Sequence, residues 1–169
     1  MRRLTASLVL AASLIIPPGL ARADVAQADK DFMTEAAQGG MAEVKMGELA
    51  RTKAQSDKVK NFGDRMVTDH TKANDELKAL AAQKGVTLPT DLGTEEQQTY
   101  DKLSQLSGPD FDKAYMDAMV KDHDKDVAAF EKQSKNAKDK DLKSFVQKTL
   151  PVLKDHKKMA HAGGSMKNM

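Results

Sequence analysis

The chain has 169 residues, no cysteine and a nearly balanced charge, with 27 lysines and arginines against 25 aspartates and glutamates. The absence of cysteine excludes disulfides, thiol catalysis and thiolate metal sites. The balanced charge leaves no electrostatic footprint for nucleic acid, so we expect no nucleic-acid partner.

Residues 1–23 have the pattern of a cleavable signal peptide. Two arginines follow Met1, residues 4–16 are mostly apolar, and residues 21–23 read Ala-Arg-Ala, a small-x-small cleavage signal. The apolar run is shorter than the ~20 residues that span a membrane. We therefore predict export to the periplasm and no transmembrane segment in the mature form, which begins at Asp24.

Removing the signal peptide leaves a chain of single-domain length. Three arginines leave with it, so 24 basic residues face 25 acidic ones in the remainder. We predict one bundle domain over residues 24–162 and a flexible tail over residues 163–169, which contain two glycines and no apolar pattern except methionine.

Four long amphipathic segments follow one another, with apolar residues recurring every three or four positions. The first covers about residues 28–54. The second begins after the capping signal at Ser56 and ends at Gly85. The third begins near Pro109, and the fourth is capped by Asp139.

The link between the second and third segments, residues 86–109, contains a capping box at Thr94, so we predict a short helix through Leu106. Pro151 lies inside the fourth segment, where it removes a backbone donor, and we expect a kink or a break there.

Four amphipathic helices bury their apolar stripes by sharing one core, which predicts an all-α four-helix bundle. The short first and third links predict two antiparallel hairpins. The long middle link, with its short extra helix, either crosses the bundle as in ferritin-like folds or joins neighbours in an up-down-up-down order.

Three segments repeat one pattern of two apolar residues, a variable residue, Asp-His, a variable residue and Lys. Its histidines, His70, His123 and His156, fall on the apolar stripes near the helix centres. The first segment has Glu43 at the same level, so we predict that these four side chains meet inside the bundle. Imidazole and carboxylate are ligands for zinc, copper or iron, and we predict a metal site without catalytic residues.

Methionines lie one helical turn from three of these positions, at residues 46, 66 and 119. Thioethers at that distance favour copper(I). The alternative is that the histidines are structural, hydrogen-bonded to Glu43 or Tyr115 without metal. The aspartates that precede them point about 100° away and are expected to form surface ion pairs or, less favoured, to support a histidine of another helix.

A set of short motifs spread from residue 29 to residue 160 carries a family resemblance. They are Asp31-Phe32, Ala36-Ala37, Glu43, Gly47-Glu48-Leu49-Ala50, Val59-Lys60-Asn61-Phe62, Met66-Val67, Asp69-His70, Phe111-Asp112, Tyr115, His123, Pro151 and His156. With them the chain resembles exported bacterial ferritin-like proteins of unknown function, often labelled predicted outer-membrane proteins. The resemblance implies a ferritin-like four-helix fold and an envelope location, and it implies no established activity.

Di-iron ferritin-like proteins carry Glu three residues before His. Here Val67, Val120 and Leu153 take those places, so we do not expect ferroxidase or oxygenase chemistry. A metal-binding bundle is the favoured function. A non-catalytic envelope or stress protein that acts through its surface is the alternative, and an enzyme ranks last because no nucleophile–base pair or phosphate loop is present.

Overall fold

The computed structural model describes residues 25–164, so the predicted signal peptide and the last five residues lie outside the described part. This part is all-α. Its helices are α1 (Gln27–Lys53), α2 (Asp57–Lys84), α3 (Thr94–Ser104), α4 (Gly108–Asn136) and α5 (Lys140–Gly164). Among these five helices, none combines the length and the apolar character that crossing a membrane requires.

Local signals in the sequence account for several helix ends. Gly85 follows α2 with φ 71°, the left-handed conformation that glycine adopts without a steric penalty. The Asp139 carboxylate accepts hydrogen bonds from the backbone N–H groups of Asp141 and Leu142, as an N-cap does. The prediction of a capping box at Thr94 was wrong. Gly93, and not Thr94, occupies the N-cap of α3, and no side chain caps the start of this helix.

Pro151 does not break α5, which continues on both sides of it. The proline removes the donor for the carbonyl of Gln147, four residues earlier. Both residues are exposed, so water can satisfy that carbonyl. The helix also continues to Gly164, two residues beyond the predicted end of the bundle.

The two short turns of the bundle are held by aspartates from other helices. Near the start of α1, Asp29 accepts hydrogen bonds from the N–H groups of Lys138 and Asp139, between α4 and α5. Near the start of α4, Asp112 accepts them from the N–H groups between α1 and α2. The start of α1 therefore lies beside the end of α4, and the two helices are antiparallel.

The long helices run up, down, down and up in chain order, because α5 is antiparallel to both α2 and α4. Lys148 pairs with Glu76 of α2, and Lys154 pairs with Glu131 of α4. Residues 85–107 consequently cross the bundle from end to end, with α3 packed against α1 and α4. This crossing is the first of the two predicted topologies.

The buried apolar residues form two separate clusters. The upper cluster includes Met46, Met66, Met119, Tyr115 and Ala160. The lower cluster is centred on aromatic and aliphatic side chains, namely Phe32, Leu77, Phe130, Phe145 and Leu153. A layer of buried polar side chains separates them at mid-height.

Glycines allow α1 and α2 to approach closely next to this layer. A Cβ atom added at Gly63 would lie 2.6 Å from the Cβ of Ala50 and 2.9 Å from the carbonyl oxygen of Gly47. Backbone atoms cannot move aside as a flexible side chain can. The short distance between α1 and α2 therefore requires residues without a side chain at positions 47 and 63.

We predict that Gly63→Ala destabilises the domain by about 1–3 kcal/mol, because overpacking outweighs the ~1 kcal/mol that alanine gains in a helix. Gly39→Ala is the matched control. Its Cβ would have no contact closer than 4.0 Å, so it should stabilise the domain. Urea unfolding of both variants measures the difference, and an equal effect of the two substitutions would contradict the close-packing argument.

Candidate metal centre

The four predicted site residues meet at the middle of the bundle, one from each long helix. Glu43, His70, His123 and His156 are 1, 5, 0 and 0% exposed. The centroids of the three imidazole rings are 5.2, 5.3 and 5.7 Å apart. The helical register that the repeated motif predicted therefore brings the side chains into mutual contact.

Each histidine keeps one ring nitrogen without a hydrogen-bond partner. These nitrogens are Nε2 of His70, Nε2 of His123 and Nδ1 of His156, all buried. The three histidines can offer one nitrogen each so that the three atoms lie within 4.8 Å of one another. Buried polar atoms in native proteins usually have a partner, and ring nitrogens placed in this way can act as metal ligands.

The second ring nitrogen of two histidines is hydrogen-bonded to a group that orients the ring. His156 Nε2 lies 2.8 Å from the Asp69 carboxylate, and His123 Nδ1 lies 2.9 Å from the carbonyl oxygen of Met119. Metal-binding histidines almost always have such a partner, which fixes the tautomer and the ring orientation. His70 Nδ1 has only a close contact, 2.8 Å from Glu43 Oε2.

Glu43 lies between two of the imidazoles. One carboxyl oxygen is 2.8 Å from His70 Nδ1, and the other is 3.3 Å from His123 Nε2. Neither contact has the angles of a hydrogen bond, and both oxygens remain unsatisfied. Glu43 is thus beside the three-histidine group and close to one of its free nitrogens.

The sequence favoured a surface ion pair for Asp69, and in the structure this aspartate also contacts a histidine of the site. Its carboxylate contacts both His156 of α5 and the guanidinium of Arg65. The Asp-His pair in the sequence could have indicated this role, because an aspartate 100° around α2 from His70 faces the neighbouring helix α5. Asp155 is exposed as expected, whereas Asp122 is partly buried with one unsatisfied oxygen.

The methionines predicted beside the site are buried in the upper apolar cluster. Met46, Met66 and Met119 are fully buried and belong to one apolar cluster, each one turn above a site residue of its own helix. The Tyr115 hydroxyl, proposed above as a partner for a histidine, is buried and makes no hydrogen bond.

Residues 17–162 match the model of one protein family, described as a domain of unknown function, DUF4142. The chain belongs to the DUF4142 family. The predicted resemblance to a helical family of unknown function agrees with this membership, while the ferritin-like relationship stays a prediction. No curated protein matches the sequence.

Solved structures show that the DUF4142 chain shares its fold with two other groups. A DUF305 fragment from Deinococcus radiodurans superposes with a TM-score of 0.73 at 11% identity, covering 85% of this chain and 100% of that one. CopM in its Cu(II)-bound form gives 0.69 at 15% identity, covering 81% and 95%. The silver-bound form of CopM gives 0.66 at 17% identity, covering 83% and 98%.

Burial keeps the metal-free site of this DUF4142 domain electrically neutral. Desolvation raises the pKa of Glu43 to about 8, although nearby His123 opposes the shift. Desolvation lowers the pKa of His70 and of His156 to about 4, and it lowers the pKa of His123 as well. At neutral pH the carboxyl group holds its proton and the imidazoles remain available as ligands.

Without metal, the parent domain should lose stability as the pH rises. We predict that Glu43→Gln removes this loss. The folded parent holds the Glu43 proton up to about pH 8, whereas the unfolded chain has already released it, so stability falls as pH rises through that value. Between pH 6.5 and 9 the variant should gain about 2 kcal/mol relative to the parent.

Urea unfolding in the presence of a chelator measures this difference. The unfolded histidines titrate alike in the two proteins. Asp126 is replaced by Asn in both, because the pKa of Asp126, which burial raises, also depends on the charge of Glu43. Parallel stability curves for parent and variant would show that Glu43 is already ionised in the fold.

Proposed function

We propose that this domain is a periplasmic transition-metal-binding protein that holds one ion between His70, His123 and His156. Two observations carry the proposal. Each histidine has one buried ring nitrogen without a hydrogen-bond partner, and the three histidines can place one nitrogen each within 4.8 Å of one another. Glu43 supplies a nearby negative charge once the incoming ion displaces its proton to solvent. The domain acts as a binding protein and not as an enzyme.

The distances suit one ion after a small adjustment. Nitrogens bound to one ion at about 2 Å are about 3.3–3.5 Å apart. The present spread of up to 4.8 Å closes when each imidazole moves by roughly 1 Å, which side-chain rotations achieve without moving the helices.

Copper is the metal that the surroundings favour. The fully buried thioethers of Met46, Met66 and Met119 give the upper cluster a soft character, which suits copper(I) better than zinc or iron. The structural likeness to CopM, a protein solved with Cu(II), Cu(I) and silver, supports the same choice. Iron has least support, because the carboxylates of a ferritin-like di-iron centre are missing.

Two further parts of the proposal rest on the sequence pattern. The signal-peptide pattern of residues 1–23 supports export to the periplasm. The end-to-end crossing of residues 85–107 supports the ferritin-like description of the bundle.

The alternative function is that of an envelope protein with purely structural histidines. It is favoured by the contacts of Glu43 with two imidazoles, because a protonated carboxyl beside neutral rings is an acceptable buried network. Such a layer would serve to fix the register of the helices. The domain would then act through its surface on another envelope component.

Thermal unfolding with one equivalent of Cu(I), Ag(I) or Zn(II) separates the two functions. We expect copper(I) to raise the melting temperature most, since a ligand that binds only the folded state stabilises it by about 2.7 kcal/mol at a hundredfold excess over Kd. His123→Ala combined with His156→Ala should abolish the shift.

His161→Ala is the matched control, because this histidine is half exposed and contacts Asp124 away from the centre. Its metal-induced shift should equal that of the parent. A parent domain that no metal stabilises would instead favour the structural function.

The support of His156 by Asp69 gives a further prediction. Asp69→Ala should weaken copper binding by about 10–100-fold, because the ring loses the carboxylate that fixes its tautomer. Asp64→Ala removes an aspartate of the same helix that pairs with Arg51 on the surface, and it should leave affinity unchanged. Competition with a chromophoric copper chelator measures both, and equal affinities would contradict a supporting role.

A further inference from the structure

Two neighbouring cavities share lining residues, and the only ionisable one among them is Asp126 in α4. The outer cavity is a cleft of 190 Å³ between α1, the start of α3 and α4. The inner cavity has 20 Å³ and lies against Glu43 and His70. Asp126 lines both, and 20 Å³ is room for one water molecule or one ion.

The outer cleft has an excess of negative charge. Its ionisable lining residues are Glu35, Glu95, Glu96, Asp126 and Lys125. Lys125 lies 3.7 and 3.8 Å from Glu95 and Glu96, and Lys121 lies 2.8 Å from Glu95, so the charge of Glu35 has no cation among the lining residues as close as these. Burial raises the pKa of Asp126 well above its usual value, so this carboxyl group adds no charge while it holds its proton. A cleft with carboxylates on its walls raises the local concentration of cations.

On the α1 side, Gly39 lines the outer cleft, Gly40 lines the inner cavity, and Ala36 lines both. Phe130 of α4 also lines both cavities. A Cβ atom at Gly39 would face Asp126 Oδ1 at 4.0 Å, which places the missing side chain beside that carboxyl group. A larger side chain at position 39 would therefore narrow the space next to the Asp126 carboxyl group.

The opposite side of the bundle is less favourable for a cation. There His156 is backed by Asp69, and Asp69 is paired with the guanidinium of Arg65. A metal ion that approached along this side would meet the positive charge of Arg65 first.

We propose that the metal ion enters through the α1–α3–α4 cleft and that Asp126 passes it to Glu43 and the three histidines. This entry route rests on the proposed metal site. The Asp126 carboxyl holds the cation briefly as an oxygen ligand and releases any bound proton to solvent. The nitrogen ligands then remove the ion, because they bind copper more strongly than one carboxylate does.

The test measures how fast copper binds, separately from how tightly. Stopped-flow mixing of the purified chain with Cu(I) under anaerobic conditions gives the association rate, an excess of a Cu(I) chelator gives the release rate, and equilibrium competition gives Kd. We expect Asp126→Asn to slow both association and release about tenfold while Kd stays within about twofold.

Gly39→Leu obstructs the passage without changing its charge, and it should also slow association and release together. Asp124→Asn is the matched control, since this aspartate of α4 faces α5 through Lys157 and His161. Its rates should equal those of the parent. Melting curves without metal identify any variant that fails to fold. If Gly39→Leu does not fold, the rates of the milder variant Asp126→Asn decide the test.

The outcomes separate the two proposals. Unchanged rates in both variants, with copper still bound by the parent, would overturn the entry route and leave the metal site intact. A weakened Kd with an unchanged association rate would overturn it too, because Asp126 would then belong to the binding site. A parent that binds no copper would remove the metal site and the route together.

Discussion

A polar layer buried at the middle of an apolar bundle is the constraint on which the rest of this structure depends. A carboxyl group and three imidazoles removed from water are costly unless each has a partner. The fold reduces that cost by placing them at one level, where they contact one another, and by shifting their pKa values so that none carries charge. The layer also divides the core, so the apolar residues pack as two clusters above and below it.

The neutral state of the layer is compatible with the proposed metal site. A permanently ionised Glu43 would leave a buried charge with no strong counter-ion. A protonated Glu43 avoids this cost and would release its proton to solvent when a cation binds. In the proposed site, exchange of one proton for a monovalent ion would keep the buried charge nearly constant, which low-dielectric surroundings favour.

Much of the fold could be predicted from periodicity, because apolar stripes and helix ends are local properties of the sequence. The meeting of Glu43 with the histidines was also predictable, since mid-helix residues of a bundle share a level. The pairing of Asp69 with His156 was not predictable, and neither were the hydrogen bonds that Asp29 accepts from the α4–α5 turn. Both depend on how neighbouring helices are rotated about their axes. The acidic cleft above Asp126 depends on where the crossing link carries α3, which periodicity does not specify.

The crossing link divides the molecule into two hairpins, α1 with α2 and α4 with α5, and each hairpin carries half of the layer. Glu43 and His123 are 80 residues apart in sequence, and His70 and His156 are 86 apart. Contacts inside a hairpin form early because they are local, whereas docking of the hairpins closes long loops and comes late. The proposed metal site lies on this docking surface. An ion bound there would have ligands from both hairpins and would therefore hold the two halves of the molecule together.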